Sequence, residues 1–207
     1  MTSARRVRVK VCGLTRPEDA RLAEALGADA LGVIFAASSR RRVDRAQAAE
    51  VLADAGPFVV RVGVFATPSV DEVLAALTAV PLQAVQVHGA LPEGLVRELA
   101  GRVPLVVAHA FRPDLDVAAL ARAPVAAVLI DGPAAGSGTA FDWDAAGALR
   151  GASRWILAGG LRPENVGEAV VRLRPPAVDV ASGVESAPGI KDPARLQAFF
   201  AALSAVG

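Results

Sequence analysis

The feature that most constrains this chain is a repeated unit, in which a short apolar run is followed by a segment with helical spacing. One example is the segment where Val70, Val73, Leu74 and Leu77 fall at positions i, i+3, i+4 and i+7, on one face of a helix. Eight apolar runs read as strands, at residues 7–12, 29–35, 59–65, 84–88, 104–109, 125–131, 154–158 and 177–181. Most of them are continuously apolar, as expected of parallel strands that are covered on both faces.

Eight strand–helix units in 207 residues predict an α/β fold, a single (β/α)8 TIM barrel that spans residues 1–207 as one domain. A hydrophobic content of 53% with 21% charged residues indicates a folded chain. A doubly wound open sheet is the alternative, but no G-x-G-x-x-G motif follows the first strand.

The helix starts carry capping signals. Three candidate caps stand three residues before a Glu or Gln, at Thr15, Asp44 and Ser69. Asp192 precedes a proline, which is typical of the first helical position. Further helices are expected near residues 114–122 and from about Asp142.

The composition excludes several partners. With 22 basic and 21 acidic residues, the chain shows no charge signature for nucleic acid. It contains no apolar segment long enough to span a membrane and no signal peptide. A single cysteine cannot form an intrachain disulfide, which fits a reducing compartment. We therefore expect a cytoplasmic protein, and two histidines on separate strands predict no metal site.

In a barrel of this type the active site lies at the C-terminal ends of the strands. Cys12 ends the first strand, and Asp131 ends the otherwise apolar sixth strand. Each has a structural alternative, since a buried cysteine acts as a small hydrophobe and an aspartate can cap a loop. Two proton-transfer groups at matching strand ends nevertheless favour a catalytic pair.

Glycines mark the loops after the last three strands. Gly136, Ser137 and Gly138 follow the sixth strand, Gly159 and Gly160 the seventh, and Ser182 and Gly183 the eighth. Backbone amides beside such glycines can approach an anion closely, and barrels often bind phosphate at these positions. Tight turns also require glycine, so it is the coincidence of the three loops that predicts a phosphorylated substrate.

An arginine-rich loop follows the second strand. The run from Ser38 to Arg42 contains three adjacent arginines, Arg40, Arg41 and Arg42. One of them is predicted to hold a carboxylate through paired hydrogen bonds, while the others are expected to be solvated.

Polar residues within the strands complete the candidate site. Lys10 shares strand parity with Cys12, and Asp179 lies on the strand that would neighbour the first in a closed barrel. Because a lone buried ammonium is costly, we expect Lys10 to point inward and pair with Asp179. Gln86 and His88 also share parity and are predicted to line the site.

Ordered motifs along the chain resemble those of the phosphoribosylanthranilate isomerase family. They are KVCGLT at 10–15, VGVF at 62–65, VQVHG at 85–89, FDW at 141–143, AGGL at 158–161, PENV at 163–166, DVASGVE at 179–185 and PGIKD at 188–192. The matches run from the first strand to the last helix and so cover nearly the whole chain.

The resemblance implies a cofactor-free Amadori rearrangement in tryptophan biosynthesis, which converts N-(5′-phosphoribosyl)anthranilate to 1-(2-carboxyphenylamino)-1-deoxyribulose 5-phosphate. Asp131 would be the general acid, Cys12 the general base and Arg41 the ligand of the anthranilate carboxylate. The three glycine loops would bind the phosphate, and Asp179 would also contact the small phosphorylated substrate. The protein is expected to be a monomer or a homodimer. A free thiol has a pKa of about 8.5, and Lys10 is the only cation that the sequence suggests beside Cys12.

The chain departs from the family pattern at a few positions. Ala158 and Ala181 stand where relatives often carry serine, and the Arg40–Arg42 run replaces a more distinctive motif. Two other functions remain open. One is the related barrel isomerase of histidine biosynthesis, whose two-aspartate design differs from Cys12. The other is a non-catalytic barrel, which the pair of Cys12 and Asp131 disfavours.

Overall fold

Eight parallel strands form a closed barrel in the computed structural model, which describes residues 6–116, 119, 122–132 and 143–206. Each strand pairs with the next along the chain, and β8 pairs with β1. The strands are β1 (Arg8–Cys12), β2 (Ala30–Ile34), β3 (Val60–Ala66), β4 (Ala84–His88), β5 (Leu105–Ala110), β6 (Ala127–Asp131), β7 (Trp155–Leu157) and β8 (Ala177–Val180). The closed barrel confirms the predicted fold and excludes the open sheet, which would have two unpaired edges.

In the described residues, α-helices follow six of the eight strands and cover the outside of the barrel. They are α1 (Pro17–Ala25), α2 (Arg45–Val51), α3 (Val70–Ala79), α4 (Leu95–Leu99), α5 (Pro163–Leu173) and α6 (Pro193–Ser204). The side chains of Asp44, Ser69 and Asp192 accept hydrogen bonds from the first turns of α2, α3 and α6, which confirms these predicted caps. No helix in the described part of the chain combines the length and the apolar character needed to cross a bilayer.

The predicted cap at Thr15 is wrong. Pro17 occupies the start of α1, so the N-cap is Arg16, which has an extended backbone and makes no side-chain cap. The Thr15 hydroxyl instead donates to the Gly189 carbonyl oxygen at 2.6 Å. The start of α1 is thereby tied to a segment that follows β8.

The helix expected from about Asp142 is not found in the residues described there. Residues 143–146 form turns, and a short 3₁₀ helix (Gly147–Leu149) follows. Gly147 and Gly151 weaken a regular α-helix, since each glycine costs about 1 kcal/mol relative to alanine. The helix expected near 114–122 falls partly on residues 117, 118, 120 and 121, which lie outside the described residues.

A small hairpin that the hydrophobic pattern did not predict follows β8. A 3₁₀ turn (Ser182–Val184) leads into β9 (Glu185–Ala187), which pairs antiparallel with β10 (Ile190–Lys191). The hairpin inserts between β8 and α6 and brings Lys191 back to the C-terminal end of the barrel.

The core is divided between the outside and the inside of the barrel. A large apolar cluster joins the outward faces of the strands to the helices. Two small clusters contain the inward-facing residues, one around Cys12, Val62 and Val64 and the other around Leu129. Polar side chains, among them Lys10 and Gln86, are buried as well, so the barrel interior is not wholly apolar.

Candidate active site

A cavity of about 370 Å³ opens where the C-terminal ends of the strands and their following loops meet. It brings together most of the residues that the sequence singled out, namely Cys12, Arg41, Gln86, His88, Asp131, Gly159, Gly160, Asp179 and Ser182. Gly183 is not among the residues that line the cavity. Gly136, Ser137 and Gly138 lie outside the described residues.

Lys10 and Asp179 form the predicted buried ion pair across the β1–β8 seam. The two residues are direct partners in the strand register, and the Lys10 Nζ atom lies 2.9 and 3.0 Å from the two carboxylate oxygens. Burial alone would lower the pKa of Lys10, but Asp179 and Cys12 outweigh it and raise that pKa. The strand register and the two Nζ–oxygen distances confirm the inward pairing, and the raised pKa is consistent with a protonated Lys10 at neutral pH.

Cys12 ends β1 and is almost completely buried. Burial has the largest effect and raises the pKa of the thiol; Lys10 opposes that rise, Asp179 adds to it, and Lys191 lowers the pKa. The net pKa lies above the ordinary value, so the neutral thiol is the resting form. Removing either lysine would favour the neutral thiol further.

Gly32 on β2 leaves room for Cys12 and Lys10 to lie side by side. It is the register partner of Cys12 on the neighbouring strand. A methyl group added at Gly32 would lie 3.0 Å from Cys12 Sγ and 3.2 Å from Lys10 Nζ. Because Gly32 has no side chain, the Lys10 ammonium can lie close to the Cys12 sulfur.

Lys191 is a residue of the site to which sequence reasoning gave no role. Its side chain is fully buried, and Nζ lies 2.7 Å from the Cys12 carbonyl oxygen, 3.1 Å from the Ala181 carbonyl oxygen and 2.9 Å from Glu185 Oε1. Lys10 is therefore not the only cation near Cys12. The available signal was that Lys191 is one of only two lysines in an arginine-rich chain.

Arg41 reaches the cavity and is anchored by Glu185. Its Nε lies 2.9 and 3.0 Å from the two Glu185 carboxylate oxygens, and Nη2 lies 2.8 Å from Oε2. Burial would raise the pKa of Glu185, but the hydrogen bonds and charges of Arg41 and Lys191 outweigh it and hold that pKa below its usual range. Arg40 also borders the cavity but is exposed, so Arg41 is the arginine held in a defined orientation.

Asp131 ends β6 and faces the same cavity. Its Oδ1 accepts a hydrogen bond from the Gly132 amide at 2.8 Å. Gly159, with a φ of +82°, packs against this turn so tightly that an added Cβ would lie 2.2 Å from the Gly132 nitrogen and 2.8 Å from Asp131 Oδ1. Only glycine fits there, and its fit sets the distance between the ends of β6 and β7.

The loops after β7 and β8 also approach each other closely. An added Cβ at Gly183 would lie 1.9 Å from the Leu161 carbonyl oxygen. Close packing therefore requires glycine at position 183, whether or not its amide also binds an anion. Ser182 and Gly160, from these two loops, border the cavity.

Gln86 and His88 project from β4 and contact each other. Gln86 Nε2 lies 2.7 Å from His88 Nε2, and the Gln86 Oε1 atom has no hydrogen-bond partner among the described residues. Burial and Lys10 lower the pKa of His88, while Asp179 opposes them. A neutral imidazole that accepts the Gln86 N–H fits this environment.

The arrangement suits acid/base chemistry on a small anionic molecule. A thiol and a carboxylate approach one cavity from well-separated strands, β1 and β6. A fixed guanidinium and two glycine-rich loops border the same space. Among the described residues, no group of three or more His, Cys, Asp or Glu side chains is placed to hold a metal ion.

Comparison with known proteins gives one consistent result. The family model described as N-(5′-phosphoribosyl)anthranilate (PRA) isomerase matches residues 9–202. The N-(5′-phosphoribosyl)anthranilate isomerase of Deinococcus radiodurans is 42% identical over 204 residues, covering 96% of this chain and 97% of that protein.

Solved structures agree with the sequence comparison. The crystal structure of phosphoribosyl anthranilate isomerase from Thermus thermophilus superposes with a TM-score of 0.88 at 44% identity, covering 97% of this chain and 100% of that one. A phosphoribosyl anthranilate isomerase in complex with reduced 1-(o-carboxyphenylamino)-1-deoxyribulose 5-phosphate gives a TM-score of 0.85 at 37% identity, covering 96% and 99% of the two chains.

Proposed function

The chain belongs to the N-(5′-phosphoribosyl)anthranilate isomerase family, an enzyme family of tryptophan biosynthesis, and we propose that Cys12 and Asp131 are its acid/base pair. The observation that carries this proposal is the meeting of both side chains, together with the anchored Arg41, in one cavity at the C-terminal mouth of the barrel. The family assignment leaves no support for the histidine-pathway isomerase or for a non-catalytic barrel.

Asp131 acts first, as the general acid. It donates a proton to the furanose ring oxygen while the anilino nitrogen lone pair forms a double bond to C1′. The bond between C1′ and the ring oxygen breaks, and the ring opens to a protonated Schiff base. The carboxylate that remains on Asp131 is on β6, whereas Cys12 is on β1.

Cys12 acts second, as the general base. Cys12 acts in its thiolate form, after the neutral resting thiol has lost its proton to solvent. The thiolate removes the C2′ proton, and the C–H electron pair forms a C1′–C2′ double bond while the nitrogen becomes neutral. The resulting enolamine tautomerises to the ketone product. Each proton transfer of this kind is worth about 100- to 10,000-fold in rate. Lys10 supplies the positive charge that the thiolate needs in a buried site.

The substrate's two anionic ends fit opposite parts of the site. Arg41 holds the anthranilate carboxylate, and Glu185 fixes the guanidinium from behind. The amides of Gly159, Gly160 and Ser182, together with the Gly136–Gly138 and Gly183 segments, hold the phosphate. Asp179 borders the cavity and binds sugar hydroxyl groups, and Gln86 and His88 border the same cavity. The oxidation of C2′ to the ketone is balanced by the reduction of C1′ to the amine in the same molecule, so the rearrangement needs no redox cofactor.

A turnover assay with phosphoribosylanthranilate tests these roles. We expect Cys12→Ala and Asp131→Asn each to lower kcat by about 100- to 10,000-fold. The control is binding of the reduced product analogue, which both variants are expected to retain because neither group holds the carboxylate or the phosphate. A near-normal rate in either variant would overturn the acid/base assignment.

A further inference from the structure

We propose that Lys191 is a positioning residue that couples the catalytic base to the carboxylate-binding arginine. Its ammonium fixes the backbone of Cys12 and, through Glu185, the orientation of Arg41. The inference rests on the proposed roles of Cys12 and Arg41, and it adds to them a residue that touches no substrate.

The contacts of Lys191 satisfy all of its hydrogen-bonding capacity. An ammonium has three N–H donors, and Nζ has three acceptors within 3.1 Å, the carbonyl oxygens of Cys12 and Ala181 and Glu185 Oε1. Burying a charge without such partners is very costly. Burial lowers the pKa of Lys191 and Glu185 opposes that effect, so the ammonium depends on this partner. The complete set of acceptors therefore indicates that the fold provides a specific binding site for the Lys191 ammonium.

The three acceptors belong to three different parts of the site. The Cys12 carbonyl ends β1, and the Ala181 carbonyl precedes Ser182 in the loop after β8. Glu185 lies on β9 and holds Arg41, which comes from the loop after β2. One buried charge thus joins the base, a phosphate-binding loop and the carboxylate-binding side chain.

Contacts that do not involve Nζ hold the β9–β10 hairpin in place. The Lys191 backbone amide donates to Asp19 Oδ2 at 3.0 Å, and Arg16 pairs with the same carboxylate at 2.7 and 3.0 Å. The Thr15 hydroxyl donates to the Gly189 carbonyl oxygen, and Arg195 donates to the Glu185 carbonyl oxygen at 2.6 Å. Removing the ammonium therefore leaves the hairpin several other attachments.

Lys191→Met separates positioning from simple support. Methionine keeps the length and apolar body of the side chain but removes the three N–H donors and the charge. We expect kcat to fall by about 10- to 100-fold, because the Cys12 carbonyl loses a charge-assisted hydrogen bond, and we expect KM to rise because Glu185 and Arg41 are no longer fixed.

The second measurement is the reactivity of the Cys12 thiol. Cys12 is the only cysteine of the chain, so the rate of alkylation by iodoacetamide against pH reports one thiol. Among the described residues, the charged groups that act on Cys12 are Lys10 and Asp179 on the seam, Lys191 on the hairpin and Arg41 from the loop after β2, and Asp131 borders the same cavity. The variant removes the Lys191 charge, which lowers the pKa of the Cys12 thiol, so the alkylation midpoint is expected to move to higher pH.

The matched control is Arg195→Met. It removes a hydrogen bond from another cation to the same hairpin, at the Glu185 carbonyl oxygen, without contacting Cys12 or Arg41. We expect kcat, KM and the alkylation midpoint to stay within about twofold of wild type. Equal effects in both variants would mean that loosening the hairpin is sufficient, which would overturn the proposal.

Other outcomes are also decisive. A folded Lys191→Met protein with wild-type kinetics and alkylation, even one with a lower melting temperature, would overturn the positioning role. If Lys191→Met does not fold, Lys191→Gln replaces it, which keeps N–H donors but removes the charge; KM should rise and the alkylation midpoint should move to higher pH, and wild-type values of both would overturn the proposal. A wild-type enzyme without turnover would contradict the proposed function instead.

Discussion

At the scale of single residues, the site is held together by buried charges whose partners are distant in sequence. Lys10 pairs with Asp179, and Lys191 pairs with Glu185, which also pairs with Arg41. The side chains in these pairs are between 0% and 14% exposed. Breaking a buried pair costs about 3–5 kcal/mol because it leaves one charge alone, whereas an intact pair adds little net stability. These pairs therefore contribute mainly by fixing the orientation of the side chains in the site.

Lys10→Met is expected to destabilise the fold and weaken the base together. Asp179 loses its partner, so the free energy of unfolding should fall by about 3–5 kcal/mol. The alkylation midpoint of Cys12 should move to higher pH, because Lys10 opposes the effect of burial on the thiol pKa. Urea denaturation and alkylation rates measure the two effects.

The control for Lys10→Met is the double variant with Asp179→Asn. It leaves no unpaired charge, so it should regain much of the lost stability but not the original alkylation midpoint. A Lys10→Met protein as stable as wild type would show that the ion pair does not matter for folding.

Arg41→Ala tests which arginine holds the carboxylate. Loss of a charge-assisted contact of about 1.5–3 kcal/mol predicts a fall in kcat/KM of roughly 10- to 100-fold. Arg40→Ala is the matched variant on the adjacent, exposed residue and should change kcat/KM by less than about threefold. Steady-state kinetics that give the larger loss in Arg40→Ala would contradict the assignment.

The sequence predicted some of these contacts because a simple geometric rule applied to them. Lys10 and Asp179 follow from strand parity and from the adjacency of first and last strands in a closed barrel. Lys191 and Glu185 could not be found in that way, because β9 and β10 span only three and two residues and carry no periodic pattern. Thr15 matched a capping pattern, but its hydroxyl donates a hydrogen bond to the Gly189 carbonyl oxygen of that same hairpin.

At the scale of elements, strands were easier to predict than helices. All eight strands were predicted within two residues of their observed ends, because buried parallel strands are continuous apolar runs. The short 3₁₀ segment before β7 was mistaken for a helix, since its alanines favour a helix while Gly147 and Gly151 oppose it. Local composition does not resolve that competition.

Gly32→Ala tests how β2 shapes the site. The added methyl would lie 3.0 Å from Cys12 Sγ and 3.1 Å from Lys10 Cε, so one of those side chains must move. We expect a loss of about 1–3 kcal/mol in unfolding free energy from overpacking, together with a clear fall in kcat. Unfolding and turnover assays on the same preparation measure both.

Gly167→Ala in α5 is the matched glycine substitution away from the site. The nearest atoms to its added methyl lie at 3.5 and 3.6 Å, which is ordinary contact. Replacing a glycine inside a helix should stabilise the protein by about 0.5–1 kcal/mol and leave kcat unchanged. A similar loss of kcat in both variants would show that the Gly32 effect is not local.

At the scale of the whole molecule, the barrel closes where the two ends of the chain meet. The β1–β8 seam carries the Lys10–Asp179 pair, and Lys191 joins the ends of the same two strands through the Cys12 and Ala181 carbonyls. The catalytic base thus lies at the closure of the fold. We propose that residues 1–207 form one domain, since neither half of the chain contains this seam alone.

Acid should weaken the ion pairs that Glu185 makes with Lys191 and Arg41. The folded pKa of Glu185 is lowered, so the stability it contributes is fully present above the unfolded glutamate pKa of about 4.3 and is lost as pH falls through the folded value. Glu185→Gln should therefore be less stable than wild type at neutral pH, and the difference should shrink below about pH 4. Urea midpoints from pH 7 to 3 measure this, and parallel curves would contradict it.

The most direct test of Cys12 as the general base compares two pH profiles of the wild-type enzyme. If Cys12 is the base, the rise of kcat/KM with pH and the rise of the iodoacetamide alkylation rate report the same free-enzyme ionisation. The predicted result is a common midpoint, which moves to higher pH in both profiles in Lys10→Met. An alkylation midpoint that moves in Lys10→Met while the kcat/KM profile stays in place would contradict Cys12 as the base.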